Sequence, residues 1–239
     1  MKEIERLQKL IDESNNIVFF GGAGVSTESG IKDFRSEDGL SNMKFEYPAE
    51  VMLSSDMFYL KTDKFYEFYK EYMNSLKYKP NITHKFLTKL EEKGKLKAII
   101  TQNIDGLHQK AGSKNVLEVH GTTYTNHCLD CHEEYDAEYV FNSKGIPKCK
   151  KCGGTIKPDV VLYGEMLPDC FMDARDYIKN ADMLIVAGTS LTVEPAASLV
   201  RLYSGNKLVI INKDKTPYDH YANIVINDSL SNVFSKLKV

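Results

Sequence analysis

Three groups of residues in this 239-residue chain have types and spacing that suit chemistry. The first is the stretch Gly21-Gly22-Ala23-Gly24, which follows the apolar run Ile17-Val18-Phe19-Phe20. Clustered glycines after a strand let the backbone approach a phosphate, and Ser26 and Thr27 add hydroxyls beside them. A dinucleotide fingerprint calls for a third glycine where Thr27 stands, so this loop is read either as a nucleotide site or as a plain turn. The second group is Gln102-Asn103-Ile104-Asp105, with His120 further on. Two amides, a carboxylate and an imidazole suit the holding of a sugar and the movement of its hydroxyl protons. An ordinary imidazole titrates near pH ~6.5, so His120 could serve as a base at neutral pH; a structural histidine is the other reading.

The third group is Cys128-x-x-Cys131 and Cys149-x-x-Cys152, two pairs seventeen residues apart. That spacing reads as a four-cysteine zinc site. Four thiolates leave no open position for water or substrate, so the zinc is expected to be structural. His127 and His132 flank the first pair but are not needed to complete it. Cys170 stands alone and is read as a structural or surface thiol. His84, His108 and His220 are read the same way, because nothing around them converges.

Periodicity and turn residues give the elements that must position these groups. Ile4, Leu7, Leu10 and Ile11 share one face of an opening helix. The aromatics Phe58, Phe65, Phe68, Tyr69 and Tyr72 recur at helical spacing and are expected to pack between helices. A helix beginning near Asn81 carries Phe86, Leu87 and Leu90 on one face and stops at Gly94. Strands are predicted over Leu96–Thr101 and Val116–Val119, in "MLIVAGTS" and in "LVIINKD", with helices at 169–180 and about 195–202. This alternation argues an α/β fold with a parallel sheet and helices on both faces. Polar or glycine-rich clusters follow four strands: Gly21–Gly24, Thr101–Asp105, Gly188–Ser190 and Asn212. Ligands of such sheets bind at the carboxyl ends of strands, so the four clusters are expected to meet at one edge.

The composition is that of a folded globular chain, with 42% hydrophobic and 27% charged residues. A formal charge of -2 gives no electrostatic case for nucleic acid as the main ligand. The opening helix is not a signal peptide, and no apolar run approaches the roughly 20 residues that span a bilayer. A soluble, cytoplasmic protein with no membrane partner is expected. There is no internal repeat and no low-complexity tract.

The ordered set "GAGVSTESGIKDFR", "TQNIDGLH", "EVHG", the two cysteine pairs, "KPDVVLYGE", "GTSLTVEPAA" and "IIN" resembles the sirtuin family of NAD-dependent protein-lysine deacylases. The resemblance covers essentially the whole chain. It implies a Rossmann-like NAD-binding domain (1–36, 81–121 and 158–239), a helical insertion (37–80) and a small zinc-binding module (122–157). It implies NAD as co-substrate and one structural Zn2+, and a protein deacetylase that releases nicotinamide and O-acetyl-ADP-ribose. A different acyl preference, or transfer of ADP-ribose to protein, is the alternative.

Carried over by motif, His120 would be the base, with Asn103 and Asp105 beside it in catalysis. Gly22, Ala23, Gly24, Thr27, Phe34 and Arg35 would contact NAD from the opening loop. Gln102, Asn103, Ile104 and Asp105 would hold its ribose and nicotinamide. Gly188, Thr189, Ser190 and Asn212, with Asp228 near the last strand, would take the adenosine half. An acyl-lysine protein would bind as an added strand between "DVVLYGE" and "SLTVEP". Val160, Leu162, Tyr163, Gly164 and Val193 are the candidate peptide contacts. Two departures from the family pattern stand out. Tyr163 replaces the usual Phe before Gly-Glu, and Tyr69-Lys70-Glu71-Tyr72 lacks the Arg of the Tyr-x-x-Arg motif that holds acidic acyl groups.

Overall fold

The run Ile17–Gly21 is buried at every position, as a strand covered on both faces must be. In the computed structural model, which describes residues 2–34 and 39–239, it is the central strand of a six-stranded sheet. The strands are β1 (Ile17–Gly21), β2 (Leu96–Thr101), β3 (Val116–Glu118), β7 (Met183–Ala187), β8 (Leu208–Ile211) and β9 (Ile224–Ile226). The order is β3-β2-β1-β7-β8-β9, and every pairing is parallel. Strand side chains alternate between faces, so each strand serves two cores.

Ile17, Phe19, Ile99, Ile185 and Val209 face one core. There they meet α1 (Lys2–Asp12), α5 (Ile82–Glu92) and α9 (Leu230–Phe234) through Leu7, Ile11, Leu87, Leu90 and Phe234. Val18, Phe20, Ile100, Leu184 and Ile210 face the other, against α8 (Cys170–Asn180) and the run Ala196–Leu202. That run was predicted as a helix of ordinary pitch; it winds as a 3-10 helix, longer than such runs usually are. Helix α5 starts as its sequence requires. The Asn81 side chain accepts from the backbone of Thr83 and His84, and the His84 ring closes a capping box.

A second, antiparallel sheet has the order β5-β4-β6, formed by β4 (Gly121–Cys128), β5 (Glu134–Asp136) and β6 (Ile156–Val160). Residues 158–160 pair here, with β4, and not in the parallel sheet. The aromatic segment forms α2 (Ala49–Met52), α3 (Ser55–Leu60) and α4 (Thr62–Tyr72). Its Phe58, Phe65, Tyr66 and Tyr69 share a third core with Val140 and Phe141 of α7 (Ala137–Asn142) and with Cys128, Cys149 and Ile156. Tyr69 stacks between Phe65 and Phe141, each with ring centroids 5.4 Å away. The helical insertion and the cysteine segment therefore share one hydrophobic core. The remaining short helix, α6 (Leu107–Ala111), follows β2.

Candidate active site and zinc centre

Register along the parallel sheet aligns the strand ends. Gly21 is level with Thr101 and Ala187, and Ala187 with Ile211. The next residue of each strand, Gly22, Gln102, Gly188 and Asn212, therefore stands in one row at the carboxyl edge. Strand order reverses between β1 and β7, which is where such sheets open a crevice. A cavity of about 790 Å³ lies there, and all four of these residues line it.

The crevice requires the two glycine loops to touch. Gly24 N–H donates to Gly188 O at 2.8 Å. A Cβ on Gly24 would stand 2.8 Å from Gly188 Cα, and one on Gly188 would stand 2.6 Å from Val25 N. Gly188 also has a φ of +60°, in the left-handed region. These glycines thus dock one loop on the other as well as lining the cavity.

Behind the loop lies a buried polar chain. Asn103 Nδ2 donates to Ser26 Oγ at 3.1 Å, and Ser26 Oγ donates to Asp105 Oδ2 at 2.6 Å. The other oxygen of Asp105 accepts from Leu107 N at 2.9 Å and so opens α6. Burial raises the Asp105 pKa, while Ser26, the Leu107 N–H and Lys110 pull against that rise. Ser26, read from sequence as facing a phosphate, spends its hydroxyl on this chain. Gln102 Nε2 donates to Thr189 Oγ1 at 3.1 Å and ties the ends of β2 and β7 together.

His120 lies between β3 and β4. Its Nδ1 is 3.1 Å from Gln102 O, and a carbonyl only accepts, so Nδ1 carries the proton and Nε2 is the free acceptor. Burial lowers its pKa from 6.5, opposed by that carbonyl, so the neutral ring prevails at pH 7. Gly121 turns the chain with φ +75°, and a Cβ there would meet Asp159 O at 1.9 Å.

On the far wall, Tyr163 N donates to Leu53 O at 3.0 Å and Tyr163 O accepts from Ser55 N at 2.9 Å. Lys157 Nζ lies 3.1 Å from Glu165 Oε2, which also accepts from Leu162 N at 2.9 Å. These bonds fix the 160–165 segment. Val160, Leu162, Tyr163 and Gly164 line the cavity from this side and Val193 from the other.

Ala23, Phe34, Asn103, Ile104, Asp105 and His120 also line it, as do Thr189 and Ser190. Thr27 and Asp228 do not. Thr27 Oγ1 donates to Gly24 O at 3.1 Å. Asp228 accepts from Ser229 N and from Asn232 Nδ2. Arg35 falls outside the described residues. Sequence reasoning passed over Leu40, Leu53 and Met73, which line the cavity from the helical insertion. Their only signal was apolarity, which packing also explains. His84 and His108 lie away from the cavity, both buried, with ring centroids 4.7 Å apart. Burial holds His84 down to about 4 and His108 well below its ordinary value.

The Sγ atoms of Cys128, Cys131, Cys149 and Cys152 lie within 4.8 Å of one another, and none is in a disulfide. The shortest separations are 3.4 Å and 3.5 Å. A tetrahedron with Zn–S near 2.3 Å has edges of ~3.8 Å, so the donor set fits zinc. A zinc ion held by these four thiolates would have no open position for water or substrate, so its role would be structural.

A family model described as the Sir2 family matches residues 22–195. An NAD-dependent protein deacetylase of Clostridium tetani is 58% identical over 233 residues, covering 96% of this chain and 94% of its own. One from Clostridium perfringens is 54% identical, covering 98% of each. Among solved structures, a Sir2 with a p53 peptide and NAD+ superposes with a TM-score of 0.87 at 40% identity, covering 98% of this chain and 96% of that one. A Sir2 bound to acetylated peptide gives 0.86 at 38% identity, with the same coverage.

Proposed function

The chain belongs to the Sir2 family, and from that premise we propose how it works as an NAD-dependent protein-lysine deacetylase. NAD is consumed, not reduced and returned. The acetyl-lysine carbonyl oxygen attacks the ribose carbon as nicotinamide leaves. The ribose 2′-hydroxyl then attacks the resulting carbon centre, and water completes the release of lysine and O-acetyl-ADP-ribose.

The observation that carries this reading is the state of His120. Its Nδ1–H is committed to Gln102 O, which leaves a neutral Nε2 among the cavity-lining groups as acceptor for a ribose hydroxyl proton. Asn103 and Asp105, held by Ser26, orient the ribose and the departing nicotinamide with Gln102 and Ile104. Gly22, Ala23, Gly24 and Thr27 serve the pyrophosphate; the N–H groups of Gly22 and Gly24 are bonded to Ala187 O and Gly188 O, so these glycines serve by letting the backbone come close, and Thr27 holds the loop's shape through Gly24 O. Phe34 shields the reacting centre from water, and Arg35 pairs with phosphate. Gly188, Thr189, Ser190 and Asn212 take the adenosine half. Asp228 supports that end from behind, since its oxygens are occupied by Ser229 and Asn232.

The acyl-lysine peptide enters as a strand between 160–164 and Val193, recognised mainly through its main chain. Residues 1–36, 81–121 and 158–239 form the NAD-binding domain in this reading, with 37–80 and 122–157 as the two inserts. Their shared core supports treating the inserts as one lobe. We also propose a cytoplasmic location. Reduced cysteine ligands suit a reducing compartment, and among the described residues no helix is long and apolar enough to cross a membrane.

The test is mass spectrometry of an acetyl-lysine peptide incubated with the purified protein, with and without NAD. The expected result is an NAD-dependent loss of the acetyl mass together with acetyl-ADP-ribose. A peptide unchanged in the presence of NAD, or one gaining an ADP-ribose mass, overturns the assignment.

A further inference from the structure

Between its pairing of Gly121 with Val160 and its pairing of Asn126 with Pro158, β4 slips register against β6. Thr123 falls in that gap, and its backbone N–H turns to the loop after β2, donating to Ile104 O at 3.0 Å. Its hydroxyl reaches the same oxygen at 3.1 Å. The Thr123 hydroxyl also lies 3.2 Å from Ser75 Oγ, which stands just beyond α4. A carbonyl only accepts, so the single Thr123 hydroxyl proton goes to Ile104 O, and Ser75 is the donor to Thr123. The relay therefore runs one way, from the Ser75 hydroxyl to the Thr123 hydroxyl to the Ile104 carbonyl. Both side chains are buried. A valine of nearly the same shape would fill the Thr123 site without the cost of burying a hydroxyl.

Two neighbours hold the relay in place. The Tyr124 ring covers Gly106, where a Cβ would stand 2.5 Å from Cε2. Lys110 of α6 donates to Leu76 O at 3.1 Å, and its ammonium lies 5.3 Å from the centre of the Tyr124 ring. The Ile104 side chain packs against the core shared by the two inserts. Asn103 and Asp105, on either side of it, are bonded to Ser26 of the opening loop. Three consecutive residues are thus anchored alternately to the glycine loop and to the inserts.

We propose that Thr123, directed by Ser75, is a positioning residue for the expulsion of nicotinamide: it fixes the Ile104 carbonyl, and with it the peptide plane that leads into Asp105. This rests on the reading of residues 102–105 as the holders of ribose and nicotinamide. A peptide unit is planar, so a carbonyl held by two donors cannot rotate without carrying the Asp105 N–H with it. Without the hydroxyl, only the Thr123 N–H remains on that oxygen, and the loop can tilt about its two bonds to Ser26.

The experiment compares the full-length, zinc-loaded wild type with Thr123→Val, Thr123→Ser and Ser75→Ala. It measures the single-turnover rate of nicotinamide release from NAD with an acetyl-lysine peptide, the KM for that peptide, and amide hydrogen exchange over residues 102–106 in the NAD-free protein. Thr123→Val keeps the branched shape and the backbone bond and loses the relay. It should slow nicotinamide release by about tenfold, within the ~100-fold that a misplacement of about 1 Å can cause, with the peptide KM unchanged. Exchange over 102–106 should quicken by about twofold to tenfold, the range of one net hydrogen bond. Thr123→Ser restores the hydroxyl and should recover most of the rate, and Ser75→Ala should fall between the two. The proposal is overturned if Thr123→Val folds and releases nicotinamide at the wild-type rate. It is also overturned if Thr123→Ser is as slow as Thr123→Val, since the loss is then one of packing. Should Thr123→Val not fold, Ser75→Ala decides, and a wild-type rate there overturns the relay. Hydrogen exchange needs no turnover, so it separates the two readings. A wild type that releases no nicotinamide fails as a deacetylase, whereas exchange over 102–106 left unchanged by these variants overturns the relay itself.

Discussion

Replacing Gly188 with alanine tests whether the crevice depends on one loop lying directly on the other. Two costs are separable there. A φ of +60° disfavours any L side chain by about 1–2 kcal/mol. The new Cβ would also stand 2.6 Å from Val25 N and 2.7 Å from Gly24 C. Both are backbone atoms, so no side chain can swing aside, and overpacking of this kind costs about 1–3 kcal/mol. The reduced freedom of the unfolded chain returns about 0.4–1 kcal/mol. The net loss is about 1–5 kcal/mol, or about 2–20 °C in Tm for a chain of this length. Gly94→Ala is the control. Its φ is +70°, but a Cβ there meets nothing within 4 Å, so only the conformational cost applies. Differential scanning calorimetry of both variants, with NAD affinity measured by titration calorimetry, gives the comparison. Gly188→Ala should melt several degrees below Gly94→Ala and bind NAD more weakly. Equal melting of the two, with NAD affinity intact, would refute the reasoning.

Three further outcomes are expected. Because burial lowers the His120 pKa and the neutral ring is the base, turnover should fall only as pH drops through a value below 6.5; an acid limb centred above 6.5 would count against His120. His84 is held neutral by burial down to about 4, so the unfolded state takes up a proton first. Stability should therefore decline as pH falls from 6.5 toward 4, by about 3 kcal/mol from this ring alone, and urea midpoints that stay flat over that range would contradict it. Finally, removing zinc with a chelator should loosen α3 and α4 along with β4–β6, because they share a core, while the parallel sheet keeps its amide protection. Hydrogen exchange resolved by segment checks this, and protection retained in α4 of the metal-free protein would oppose it.

The parts of the fold legible in the sequence were those written locally. The run Leu96–Thr101 is a strand over the predicted residues, Asn81 caps α5, and the cysteine pairs meet. The convergence of four polar clusters followed from strands being parallel, which the alternation of elements already implied. What the sequence hid depends on partners distant along the chain. Pro158 within β6 weakened its signal as a strand, and only pairing with Asn126 of β4 makes it one. Ser26 looks like a phosphate donor until Asp105 and Asn103 are found on its hydroxyl. The docking of Gly24 on Gly188 has no local signature, since a turn or a ligand explains each glycine equally well.

The position of β1 also governs the order in which the molecule can be assembled. Ile17 is in register with Leu96 on one side and with Met183 on the other, so the second neighbour of the central strand is made long after the first. Pairings this distant are costly to close and slow to form. A nascent chain halted before β7 already holds β1, β2, β3, the four cysteines of the paired motifs and the aromatic helices. It lacks the second wall of the crevice. The zinc-stabilised lobe can therefore mature on the ribosome well before the dinucleotide site does, and β7 sliding in beside β1 is the event that completes it.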